Sequence, residues 1–209
     1  MEKTIYLIRH GETDLNKRGV VQGRGMDTDL NAHGKSQAEA FYEAYKDVPF
    51  DKIYTSTLKR THQTVHKFIE KGISWTQYAG LDELAWGIHE GKESTEEMRI
   101  AFNEMLERWT QGHLHLKFEK GESPLEVKER QLEVLERLIE ENEAKTILIC
   151  MHGRAMRLFL CLLTNRSISE MEEFPHQNTT LYKLHFDGNN FEIVEFHNTD
   201  HLKFLCEQD

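Results

Sequence analysis

The stretch Thr4-Ile5-Tyr6-Leu7-Ile8-Arg9-His10-Gly11 decides the fold. A short run of β-branched and aromatic residues without polar alternation reads as a strand buried on both faces, and Arg-His-Gly ends it in a loop. Two further segments repeat the pattern. Lys52-Ile-Tyr-Thr55 leads into Ser56, which reads as the N-cap of a helix running to about Glu70. Lys145-Thr-Ile-Leu-Ile-Cys150 leads into Met151-His152-Gly153 and then Ala155–Leu163, apolar nearly all round and so a buried helix.

Working outward, the roughly 20 residues from Gly11 to Asn31 carry no clear period, longer than an ordinary connection, so a functional loop is expected. A helix follows over Ala32–Tyr45 with Ala38, Phe41, Ala44 and Tyr45 on one face. Asp82–Gly91 is a second loop, punctuated by Gly87 and Gly91. Thr95–Thr110 places Met98, Phe102, Met105, Leu106 and Trp109 at helical spacing, read as core positions. Ser123-Pro124-Leu125-Glu126 is a capping box with proline in the first turn, opening a helix whose Leu125, Leu132, Leu135, Leu138 and Ile139 are expected inward. Thr179–Phe186 and Phe191–Phe196 flank Asp187-Gly188-Asn189-Asn190 as a hairpin. Strands alternating with helices give an α/β fold: three layers, α/β/α, around a mostly parallel mixed sheet.

Composition narrows the function. Lys and Arg number 26 against 36 Asp and Glu, a net charge of −10, which argues against nucleic acid or an anionic membrane as partner. No apolar run approaches the ~18 residues of a membrane span, and the N-terminal apolar stretch is far shorter than an export signal's. Cys150, Cys161 and Cys206 show no paired spacing, so a cytoplasmic location without disulfides is expected. His62/His66 and His197/His201 are each four apart, but without a metal-site motif they read as solvated side chains, and no metal or cofactor is expected.

In a parallel sheet the strand carboxyl ends share one edge, where ligands of open α/β folds bind. Arg9, His10, Arg60 and His152 all fall at such junctions. Two guanidiniums and two imidazoles beside a helix N-terminus make a receptor for a dianionic phosphate. An acidic chain with its positive charge gathered at one edge favours a small anionic molecule.

Arg9-His10-Gly11 with Asn16, Ser56-x-Leu58-x-Arg60, Glu83 ahead of Gly87 and Glu90-Gly91, and His152-Gly153 together resemble the histidine phosphatase, or phosphoglycerate-mutase-like, superfamily. The resemblance spans about Thr4 to His197. It implies that His10 is the nucleophile, that Arg9, Arg60 and His152 hold the phosphoryl oxygens, and that Glu83 is the general acid, with Asp82 its neighbouring rival. It implies phosphate or substrate contacts from Asn16, Gln22, Gly23 and Gly153. Arg154 stands where the family commonly has a second glycine, Asp29 where it often has proline, and His62 where a small residue is usual. Arg154 either adds charge at the phosphate or points away, and His62 offers a third imidazole near the site. The whole chain, 1–209, is then one domain, with 92–121 as a small substrate-facing cap.

The expected activity is hydrolysis of a small phosphorylated metabolite through a phosphohistidine. A phosphoglycerate mutase primed by 2,3-bisphosphoglycerate is the alternative, disfavoured because Glu83-Leu84-Ala85-Trp86-Gly87 lacks the mutases' Arg and Tyr and the cap is short. A non-catalytic phosphate-binding module is the second alternative. A homodimer is left open.

Overall fold

A computed structural model describes residues 1–205, so Cys206 lies outside the described residues. Along the chain run β1 (Lys3–Arg9), α1 (Asp14–Lys17), α2 (Ala32–Tyr45), β2 (Lys52–Thr55), α3 (Lys59–Thr64), α4 (His66–Glu70) and β3 (Ser74–Gln77). They are followed by α5 (Glu96–Thr110), α6 (Pro124–Glu140), β4 (Thr146–Met151), α7 (Gly153–Leu163), β5 (Leu181–Phe186) and β6 (Phe191–Asn198). The sheet order is β3-β2-β4-β1-β5-β6. Pairings β2–β3, β2–β4 and β1–β4 are parallel, while β1–β5 and β5–β6 are antiparallel. This is the α/β architecture with a mostly parallel mixed sheet that the sequence pattern implies.

Side-chain alternation along each buried strand builds two cores. Ile5, Leu7, Ile147, Ile149 and Met151 face one side, where they join α6 and α7 through Val127, Val134, Leu138, Leu158 and Phe159. Tyr6, Ile8, Leu148 and Cys150 face the other and meet Phe41, Val65 and Phe68. Helices therefore cover both faces, which is why β1 and β4 carry no polar alternation.

Register sets where the chemistry gathers. Ile8 and Thr55 both lie opposite Cys150, and Arg9 lies opposite Met151. The residues that follow, His10, Ser56 and His152, therefore leave the sheet side by side. Backbone bonds continue the ladder past the strands, from His10 N–H to Met151 O at 2.9 Å and from Ser56 N–H to Cys150 O at 3.3 Å.

Several local expectations need correction. The Gly11–Asn31 loop contains one helical turn, α1, because Thr13 and Asn16 close a capping box. Ser56 is not a helix cap. The helix starts at Lys59 after Leu58, its first N–H is taken by Asp27 Oδ1 at 2.7 Å, and it breaks at Val65. Strand β3 has no counterpart in the sequence pattern, since all four of its residues are exposed and no apolar alternation marks it. Ala44 is exposed. On α6 the inward face is Val127, Gln131, Val134 and Leu138, while Leu125, Leu132 and Ile139 are exposed. Val127, Val134 and Leu138 supply the apolar part of this face, and Gln131 lies between them, donating from Nε2 to Ala155 O at 2.8 Å. On helix α5 Thr95 is the cap, Trp109 is buried, and Phe102, Met105 and Leu106 pack partly buried against the same core, whereas Met98 is only half-buried and lies outside it.

Candidate active site

His10 is 3% exposed, and its Nδ1–H donates to Gly11 O at 2.7 Å. The carbonyl fixes the tautomer, so the lone pair resides on Nε2. His152 is fully buried and held in the opposite tautomer. Its Nδ1 accepts from Arg60 Nε at 3.1 Å, and its Nε2–H donates to Ser56 Oγ at 2.7 Å. The two rings are 5.1 Å apart, centroid to centroid. Burial, then the neighbouring Arg60, and for His10 also Arg9, hold both imidazoles well below the usual histidine range, so both are neutral at physiological pH.

Arg60 is fully buried, with Nη1 donating to Met26 O at 2.6 Å and Nη2 to Gly23 O at 3.4 Å. Arg9 donates from Nη1 to His176 Nδ1 at 3.1 Å, and its Nε is buried without a partner. Among the described residues neither arginine makes an ion pair. Burying a cation without an ion-pair partner is expensive, and two guanidiniums beside two imidazoles make a receptor suited to an anion. Burial lowers Arg9 to about 10, which still leaves it cationic at neutral pH.

Glu83, 7% exposed, reaches the first turn of α7. Its Oε1 accepts from Ala155 N–H at 2.8 Å and Leu84 N–H at 2.9 Å, and its Oε2 from Arg154 N–H at 3.1 Å. A carboxylate on a helix N-terminus satisfies donors the helix cannot, and places Glu83 one residue beyond His152-Gly153. Asp82 is otherwise engaged: Oδ1 accepts from Thr57 N–H at 2.9 Å and Thr57 Oγ1 at 2.8 Å, and Oδ2 pairs with Arg24. The Glu83 carboxylate, by contrast, meets only backbone N–H groups among the described residues.

The remaining candidates fall as follows. Asn16 Oδ1 accepts from Asn178 Nδ2 at 3.3 Å, and the same amide donates to His10 O at 3.0 Å. Gln22 donates to Thr13 Oγ1 and accepts from Thr28 Oγ1 at 2.7 Å, anchoring the long loop over the site. Gly23 must be glycine, since a Cβ there would run into the Glu90 carboxylate. Gly153 is packed against His176, whose Cε1 would lie 2.6 Å from a Cβ. The side chain of Arg154 pairs with Glu172, which also takes Arg157, so its charge is matched.

His62 is not the third imidazole of the site. It stacks on Trp75 at 5.6 Å on the sheet's outer edge. His176 takes that place, pushed down to about 2 by burial and by Arg9 and therefore neutral. It belongs to no motif, but a signal existed. Strand β5 runs antiparallel to β1, so its lead-in arrives at the edge where β1 ends. Among the described residues no group of three or more His, Cys, Asp or Glu could hold a metal ion, and no helix is long and apolar enough to cross a membrane.

Residues 5–199 match the histidine phosphatase superfamily (branch 1). The chain is 28% identical over 199 residues to phosphoserine phosphatase 1 of Hydrogenobacter thermophilus, covering 95% of this chain and 93% of that protein. It is 30% identical over 184 residues to mouse (Mus musculus) 6-phosphofructo-2-kinase/fructose-2,6-bisphosphatase 1, covering 87% of this chain and 37% of that longer protein. Among solved structures, phosphoserine phosphatase from Entamoeba histolytica in complex with 3-phosphoglyceric acid superposes with a TM-score of 0.81 at 26% identity, over 96% of this chain and 99% of that one. The chain belongs to the histidine phosphatase superfamily, branch 1, and is a phosphatase of that family.

Proposed function

We propose that the chain hydrolyses a small phosphomonoester through a phosphohistidine on His10. The Nε2 lone pair forms the N–P bond as the ester P–O bond breaks, and Glu83 passes a proton to the departing oxygen. Water then attacks phosphorus with Glu83 taking its proton, releasing inorganic phosphate and freeing Nε2. Arg9, Arg60 and His152 stabilise the charge spread over the three phosphoryl oxygens during both transfers. Asn16, Gln22, Gly23 and the first turn of α7 at Gly153 and Arg154 line the approach. Residues 92–121 form the cap that selects the rest of the substrate.

The single observation that carries this reading is the Nδ1–H bond from His10 to Gly11 O. It leaves a neutral lone pair on Nε2 beside two guanidiniums that make no ion pair among the described residues. The named substrates of the relatives, phosphoserine and fructose 2,6-bisphosphate, support a small phosphorylated metabolite as the class.

The test is phosphate release from a panel of phosphorylated metabolites, including phosphoserine and 3-phosphoglycerate, the latter with and without 2,3-bisphosphoglycerate. Release of inorganic phosphate from at least one monoester is expected. Isomerisation of 3-phosphoglycerate dependent on the bisphosphate, without net release, would instead establish the mutase. Tight phosphate binding with no turnover would leave a binding module.

A further inference from the structure

The loop that carries Glu83 is irregular backbone, so its carbonyls need partners from elsewhere. They come from one side chain. Arg130 on α6 turns inward, and its Nη1 donates to Gly80 O at 2.7 Å and Asp82 O at 2.9 Å, while Nη2 donates to Glu83 O at 3.1 Å. The same guanidinium makes a two-point pair with Glu122, Nε to Oε1 at 3.0 Å and Nη2 to Oε2 at 3.1 Å. Glu122 in turn accepts from Ala85 N–H through Oε2 at 2.9 Å, and its own N–H donates to Ala85 O at 2.8 Å.

Both flanks of Glu83 are thus tied to one ion pair: the carbonyls of Asp82 and Glu83 to Arg130, and the Ala85 peptide to Glu122. The far end of the Glu83 side chain rests on the N–H groups of Arg154 and Ala155. Its position is therefore set at two ends, by α6 through the backbone and by α7 through the carboxylate. A planar guanidinium can serve three carbonyls and a carboxylate at once, whereas an ammonium cannot span that fork.

We infer that Arg130 and Glu122 are positioning residues for proton transfer by Glu83. They lie outside the phosphoryl pocket and act by holding the acid's loop at the right reach. The inference rests on the role proposed for Glu83 above.

A misplaced acid has a signature that lost stability does not. Proton delivery matters greatly for a poor leaving group and little for a good one. The experiment measures kcat/KM of the full chain and of Arg130→Lys, Glu122→Gln and Glu83→Gln on phenyl phosphate and p-nitrophenyl phosphate, alongside thermal melts. For Arg130→Lys the expected loss is of the order of 10²-fold on phenyl phosphate and under about threefold on p-nitrophenyl phosphate, in line with the yield of general acid catalysis and the sensitivity to placement. Equal losses on both esters would overturn the inference, because a merely structural role lowers them together. Where Arg130→Lys lacks a cooperative melt, Glu122→Gln, which removes the other half of the pair, is judged by the same criterion. If Glu83→Gln itself loses both activities equally, the proposed role of Glu83 fails. If Glu83→Gln is selective and the Arg130 and Glu122 variants are not, only this inference fails.

Discussion

The imidazoles of His10 and His152 lie 5.1 Å apart, with their planes tilted by 58°. Adjacent parallel strands deliver them, β1 and β4, whose last paired residues are Arg9 and Met151. Two rings this close, buried beside Arg60, cannot both take up protons, and they stay neutral. Neutrality is what a nitrogen nucleophile requires, and it has measurable consequences.

One is acid sensitivity of the fold. His10, His152 and His176 are neutral in the folded chain, with pKa values held below the ordinary one. In the unfolded chain each binds a proton as the pH falls through about 6.5. The unfolded state then holds more protons than the folded one, so stability declines on acidification. Between pH 6.5 and 5.5 the expected contribution of these three residues is about 3 kcal/mol, near 1 kcal/mol each. Urea unfolding at the two pH values measures it, and an unchanged slope in His176→Ala would show that this ring titrates alike in both states.

A second concerns anion binding. Arg9 and Arg60 make no ion pair among the described residues, so inorganic phosphate should stabilise the fold by about 2.7 kcal/mol at a hundred times its Kd. Chloride at equal ionic strength should not. Arg60→Ala is expected to abolish the phosphate-dependent rise in Tm, measured by calorimetry, and a persisting rise would place the anion elsewhere.

A third follows from Ser56, whose Oγ is the acceptor for His152 Nε2–H. Ser56→Ala leaves that buried donor unpaired, at a cost of ~1–3 kcal/mol. A drop in Tm of several degrees is expected, with a loss in kcat/KM larger than that in Thr57→Ala. Equal kcat/KM in Ser56→Ala and the parent would mean that His152 keeps its orientation without this bond.

A fourth tests the contact between Gly153 and His176. An alanine methyl at position 153 would displace the His176 ring and with it the bond to Arg9. Gly153→Ala is expected to raise KM about tenfold, as a misplaced binding group does. Combined with His176→Ala it should cost no more than His176→Ala alone, because both changes break one link. Full additivity would separate the two residues.

Much of this arrangement was legible in the residues. Buried parallel strands announce themselves through Thr4–Ile8 and Lys145–Cys150, and the topological rule that gathers strand ends places Arg9, His10, Arg60 and His152 at one edge from the sequence alone. What stayed hidden was carried by polar groups recruited against their usual preference. Gln131 and Arg130 turn inward onto backbone carbonyls, and the buried face of α6 is not its leucine stripe. Ser56 looked like a cap and instead orients an imidazole. Strand β3 forms at an exposed edge, where pairing with β2 rather than burial decides the conformation. His176 enters through antiparallel pairing, which no local pattern encodes.

The most direct measurement is of the bond at His10. The full chain is mixed with a ³²P-labelled monoester that it turns over, quenched in alkali within the turnover time, and mapped by peptide mass. The account predicts alkali-stable, acid-labile phosphate on His10, absent from His10→Ala together with turnover. Turnover persisting in His10→Ala, or label found only on another residue, would contradict it.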